Sequence, residues 1–279
     1  MRKNTAAEVF KNTQKHSPND LPPLPVRLVS AGTFFLLCAV SLVLPVPTPF
    51  PLKLASFFVL LAGCLVFYAG TSRLLAPSLF LLLAYIFRCL PFYSLFLMLG
   101  APLALYGLLV WKIPLLHPGR RAFVVEKIEK RPLAIAIFVT VLSIIGLVLW
   151  YIQGDVDFSG FTDAFSNRGT LAVILGGVGF SVVNVIVSET IFRGVVWQGI
   201  EECIPGAVFV VLIQGLLYGA SHFWGAIPNG WEGAILSGIF ALFLGIIRHA
   251  SRGVLLPMAA HLCVDLTLLA LVLNFLGRF

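Results

Sequence analysis

Nine apolar stretches set the terms for any fold this chain adopts. They lie near residues 28–44, 53–70, 74–88, 91–111, 133–152, 171–192, 206–222, 233–248 and 253–276. A helix needs roughly 20 apolar residues to cross a bilayer core. Inside lipid every backbone N–H and C=O must be satisfied within the protein, which leaves helices for segments of this length. Composition agrees: 59% of the 279 residues are hydrophobic and only 11% are charged, against about 25% in a typical soluble domain. The fold class expected is all-α, a polytopic helical membrane protein with about eight to nine transmembrane helices. The count turns on one pair, since 74–88 is short and interrupted by Arg88.

The segments between the runs orient the chain. Arg2, Lys3, Lys11 and Lys15 lie in the N-terminal tail, and Lys112, Arg120, Arg121, Lys127, Lys130 and Arg131 in the longest connection. Segment 153–169 carries Asp155, Asp157 and Asp163 against Arg168 alone. The positive-inside rule places the tail, 112–132 and 248–252 in the cytoplasm and 153–169 outside. Lys53 and Arg88 fall on the outer side as exceptions. Four regions follow: a Pro-containing cytoplasmic tail (1–27), N-terminal membrane helices (28–111), a basic cytoplasmic loop (112–132) and a C-terminal membrane core (133–279). The net charge of +7 is a loop charge of this kind, so no nucleic-acid partner is expected; the expected surroundings are a lipid bilayer. The five cysteines are irregularly spaced and read as small apolar residues in spans, with no zinc or disulfide pattern. Nothing resembles an organelle-targeting segment, which points to a bacterial inner membrane. The polar tail before the first apolar run is too long for a cleavable signal.

Ionisable groups inside spans are costly, and their default reading is functional. The N-terminal half has almost none suited to chemistry. The C-terminal core has several. Glu189 and Arg193, in "SETIFRG", are four apart and share a helix face. Ser188 and Asn184 lie on a neighbouring stripe, where they read as packing polar groups. His222 ends "YGASH", one turn after Tyr218. His261 and Asp265, in "HLCVD", form another four-residue pair. Glu189 and Asp265 sit at similar depth, so one cavity can take all of them. A carboxylate, two imidazoles, a second carboxylate and an arginine can activate water and stabilise an oxyanion. The same set can hold a divalent metal or relay protons.

In that order, Glu-x-x-x-Arg-Gly, aromatic-x-x-x-His and His-x-x-x-Asp, each on its own span, the motifs resemble those of the CPBP family of intramembrane proteases (CAAX prenyl protease and bacteriocin-processing). The resemblance covers about 180–270. It implies a membrane peptidase that cuts a membrane-associated peptide or protein substrate, with a glutamate and the second-motif His activating the attacking water and no cofactor. Older descriptions of the family invoke a divalent metal such as zinc. Carried onto this chain, Glu189 and His222 activate water, His261 and Asp265 polarise the substrate carbonyl, and Arg193 holds Glu189. Tyr218 stands where the family has Phe. Ser188 stands where the family's first motif has its first glutamate, and serine is no base at neutral pH without a partner. Either Glu189 has taken over that role, or the chain is a catalytically impaired homologue acting as a membrane regulator or scaffold. A charged Asp265 cannot donate to an oxyanion, so it must hold His261 or carry a proton.

Overall fold

The computed structural model describes residues 23–46, 49–70, 72–90, 96–126, 128–153, 158, 168–204, 206–224 and 228–278. The acidic outer positions Asp155, Asp157 and Asp163 and the tail before Pro23 lie outside the described residues. Every regular element among the described residues is helical. In chain order these are α1 (Leu24–Cys38, continued by a π-helical Ala39–Val43), α2 (Phe50–Gly70), α3 (Ser72–Cys89) and α4 (Ala101–Lys112, preceded by π-helical Phe96–Gly100). A 3₁₀ segment, Pro114–Phe123, follows. The C-terminal core holds α5 (Lys130–Gln153), α6 (Thr170–Glu189), a π-helical Thr190–Val196, α7 (Trp197–Cys203), α8 (Ala207–His222), α9 (Gly230–Ser251) and α10 (Leu255–Phe275).

Six helices are long and apolar enough to cross a membrane: Leu24–Val43, Phe50–Tyr68, Lys130–Gln153, Thr170–Cys203, Gly230–Ser251 and Leu255–Phe275. Leu97–Lys112 and Ala207–His222 are apolar but shorter. The protein is therefore an integral membrane protein. Its outward faces carry exposed Phe138, Ile145, Leu171, Leu175, Phe209 and Leu216, as lipid-facing helices should, because tails and side chains are equally apolar. The expected run 74–88 is α3, which turns much of its surface inward: Leu74, Phe80, Leu81, Ala84 and Tyr85 are buried. Arg88, an exception to the charge rule, has a structural explanation. Its guanidinium donates to the carbonyls of Ser41 and Leu44, capping the carbonyl end of the α1 rod, where backbone acceptors have no helical partner.

The expected 171–192 run is longer than the sequence pattern implies. α6, the π segment and α7 form one rod of 34 residues, Thr170–Cys203, about 50 Å at 1.5 Å per residue. Where the π segment begins, the hydroxyls of Ser188 and Thr190 donate to the carbonyls four residues back, at 2.7 Å each. Such back-bonding competes with the helical ladder and bends it. The carbonyl of Arg193, inside the π segment, accepts from Arg248 Nε at 2.9 Å.

The segment 112–132 is more than a basic connection. Leu116, Gly119 and Ala122 are buried, and the Pro118 carbonyl accepts from Gln198 Nε2 at 3.0 Å. Arg121 pairs with Glu202 at 2.8 Å, and Val254 N–H donates to the Val124 carbonyl at 3.3 Å. The segment straps the N-terminal helices to α7 and to the α9–α10 turn. Gly194 makes this possible: a Cβ there would come within 2.4 Å of the Ala122 carbonyl oxygen. The glycine of "FRG" thus serves close backbone approach.

Several helix ends gather at one side of the bundle. Arg27 at the start of α1, Arg73 at the start of α3 and Arg121 in the strap all meet the end of α7, at the Cys203 carbonyl or Glu202. At the opposite end Trp150 meets Glu232, and Asn274 meets Tyr151.

Candidate active site

The site is built where α6 and α10 run antiparallel, with α8 and α9 closing it. Glu189 ends the α-helical part of α6, and Arg193 lies one turn on, in the π segment. Both side chains are 0% exposed. Arg193 Nη1 donates to Glu189 Oε1 at 3.0 Å, and Nη2 donates to the Ala241 carbonyl on α9 at 3.2 Å. That carbonyl also accepts from Gln214 Nε2 of α8 at 2.9 Å. The guanidinium carbon lies 4.9 Å from the centre of the Tyr218 ring, a cation–π distance.

His261 comes from α10. Its Nδ1 is 2.7 Å from Glu189 Oε1, and its Nε2 is 3.3 Å from Asp265 Oδ1. Asp265 Oδ2 accepts from Asn184 Nδ2 at 3.0 Å. The result is one chain of polar contacts, Arg193–Glu189–His261–Asp265–Asn184. An ionised carboxylate only accepts hydrogen bonds. Two carboxylates therefore face the two ring nitrogens, so the ring donates from both, or one carboxyl group carries the second proton. In this arrangement neither His261 nor Asp265 presents an unoccupied N–H to a substrate.

Tyr218 acts through its ring. The ring centre lies 4.9 Å from that of His222, 6.2 Å from that of His261 and 4.9 Å from that of Phe192. It is the floor between the two imidazoles, which explains why an aromatic side chain suits this position. His222 lies among Asp265, His261 and Arg193 as charged neighbours. It ends a helix of 16 residues, about 24 Å long and shorter than a bilayer core of about 30 Å.

Four buried polar atoms at the site make no hydrogen bond among the described residues: Glu189 Oε2, Arg193 Nε, Gln214 Oε1 and His222 Nδ1. Such groups are rare in folded proteins and often mark functional positions. Ser188 behaves differently. Its Oγ donates to the Asn184 carbonyl of its own helix. Among the described residues no group of three or more His, Cys, Asp or Glu side chains is disposed to hold a metal ion.

All seven residues named from sequence thus fall in one region: Glu189, Arg193, His261 and Asp265 in direct sequence of contacts, Tyr218 and His222 beside them, and Ser188 one residue from Glu189 on the same rod. Two further polar neighbours are not part of that reading: Asn184 reads as a packing group and Gln214 is not singled out. Asn184 bonds Asp265, and Gln214 shares the Ala241 carbonyl with Arg193. Each is an amide isolated in a long apolar run, which is the signal that finds it.

The arrangement defines a class: a helical membrane protein with a buried carboxylate–imidazole site shared by four helices. Residues 170–267 match the family model of Rce1-like proteins, the type II CAAX prenyl endopeptidases, within the CPBP group. That span contains every site residue named above, and the matched family is one of membrane proteases. No curated protein and no solved structure matches the chain.

Proposed function

We propose that the chain is an intramembrane endopeptidase of the CPBP type that hydrolyses a peptide bond of a membrane-associated substrate. The observation that carries this reading is the convergence of the three motifs on one cluster, with Glu189 Oε1 held by Arg193 and His261, Oε2 making no hydrogen bond among the described residues, and His222 stacked near the Tyr218 ring that also lies under Arg193. In this reading a water bound at Oε2 is the nucleophile, and His222 Nδ1 is its second partner. Glu189 then takes a proton as the water oxygen attacks the substrate carbonyl, and His222 orients that water. His261 and Asp265 serve as the brace that aims Glu189, since their polar atoms are engaged with protein. No step is routed through a metal. The family's description makes a prenylated C-terminal peptide the first substrate class to try.

The same reading places the protein in a bacterial inner membrane with its N-terminus in the cytoplasm. Counting Leu97–Lys112 and Ala207–His222 as crossings gives eight, and α3 makes nine. The test is a mass-spectrometric comparison of membrane-protein termini in cells making the wild-type chain or His222→Ala. New termini that depend on His222 are expected. Identical termini in the two cultures sink the peptidase reading.

One observation favours a second reading, an impaired homologue that binds a partner without cutting it: Ser188 turns its hydroxyl onto its own backbone and supplies no base. Ser188→Glu separates the two. If Glu189 is the working base, adding a carboxylate next to it leaves cleavage unchanged or lower. A gain of cleavage from a silent wild type identifies a decayed enzyme.

A further inference from the structure

Peptide hydrolysis needs a hydrogen-bond donor for the oxygen that becomes anionic when water adds to the carbonyl. The third motif, the natural source of that donor, is closed to it here. His261 faces Glu189 with one ring nitrogen and Asp265 with the other. Asp265 has one oxygen on Asn184 at 3.0 Å and the other on His261, so it offers a substrate no open donor. The Ser188 hydroxyl is spent on its own helix. Arg193 is fully buried, with Nη1 on Glu189 and Nη2 on the Ala241 carbonyl; its Nε has no partner among the described residues, but it is on a side chain that is 0% exposed.

Asn184 is different. Its partner is a carboxylate, which fixes the orientation of the amide: nitrogen, not oxygen, faces Asp265. An amide nitrogen carries two hydrogens. One is given to Asp265 Oδ2, and the other makes no hydrogen bond among the described residues. The side chain is part-buried, one turn from Ser188. Asp265, to which it is tied, is a charged neighbour of His222. The carboxylate therefore does for Asn184 what a brace does elsewhere: it holds one N–H so that the second points along a fixed direction.

We infer that Asn184, held by Asp265, donates its free N–H to the developing oxyanion. This rests on the peptidase reading. In the step it assists, the water oxygen bonds to the carbonyl carbon as Glu189 takes the water's proton. The C=O π electrons move onto oxygen, where the amide meets them. The electrons return as the C–N bond breaks, and the amine leaves with a proton from Glu189. The amide is neutral throughout and takes no part in proton transfer.

The experiment follows the rate at which His222-dependent termini appear in pulse-labelled membrane protein of cells making the full chain. Asn184→Ala is expected to slow them about a hundredfold, the usual cost of one oxyanion donor, while the purified variant still melts cooperatively. Asn184→Asp, equal in size and without the N–H, is expected to slow them at least as much. Asp265→Asn leaves Asn184 and its donor in place, with an acceptor oxygen for it, and is expected to cost less than Asn184→Ala. A folded Asn184 variant within threefold of wild type overturns the assignment. So does an Asp265→Asn loss equal to or larger than that of Asn184→Ala, since Asn184 would then act only by holding Asp265. If neither Asn184 variant folds, the pair is structural and the assignment fails. A wild-type chain that produces no His222-dependent termini overturns the peptidase reading itself.

Discussion

Arg193→Met is expected to destabilise the protein by about 3–5 kcal/mol, the usual cost of stripping one partner from a buried ion pair. Arg193 and Glu189 are both 0% exposed, so no water can replace the lost donor. The substitution leaves Glu189 with His261 as its one hydrogen-bond partner among the described residues and removes the cation over the Tyr218 ring. The Ala241 carbonyl keeps Gln214, so most of the loss comes from the carboxylate. Folded proteins are stable by only about 5–15 kcal/mol, and a loss of this size shows directly as a lowered unfolding midpoint in detergent. Arg193→Lys should recover only part of it. Lysine restores the charge, but one ammonium cannot reach Glu189 and the Ala241 carbonyl in the fixed geometry of a guanidinium fork. A variant as stable as wild type would mean that the pair is not buried as described.

Glu189→Gln is the second large effect, and it falls on activity. Glutamine has the same shape, and its carbonyl oxygen can still accept from Arg193 and His261. The fold should therefore survive far better than with Arg193→Met. What is lost is the basic oxygen, since an amide cannot take the proton of an attacking water. General-base catalysis contributes about 10²–10⁴-fold, so cleavage should fall by about that much, with substrate binding little changed. The two variants separate the two roles of one contact. Arg193 is needed for the carboxylate to be tolerated, and Glu189 is needed for the reaction. Equal damage to stability from both would make Glu189 a structural anchor.

Much of this was legible in the sequence, because lipid simplifies the code. A long apolar run must be a helix, and each of the nine runs overlaps a helix among the described residues. The runs did not show where helices end. Thr170–Cys203 runs on past 192 because Trp197, Ile200 and Cys203 are covered by protein rather than by water or lipid. Nor did the charged segment 112–132 reveal that Leu116 and Ala122 are buried, since the pattern there is set by packing against Gly194 and α7.

The site was legible for a related reason. Charge inside a span is costly enough that Glu189, Arg193, His261 and Asp265 had to find one another. The direction of each contact was not legible. Spacing pairs Glu189 with Arg193 and His261 with Asp265. It cannot say that Glu189 also reaches across to His261, because that depends on the antiparallel register of α6 and α10. Asn184 read as packing for the same reason, since its partner is on another helix.

The most direct test is to let the purified wild-type chain in liposomes cleave a farnesylated Cys-aliphatic-aliphatic-X peptide and detergent-solubilised membrane proteins in heavy-oxygen water, with Glu189→Gln in parallel. The account predicts new C-terminal carboxyl groups that carry one solvent oxygen in the wild-type reaction and are nearly absent with Glu189→Gln. Cleavage by Glu189→Gln at the wild-type rate, or no new carboxyl groups with the wild-type chain, would contradict it.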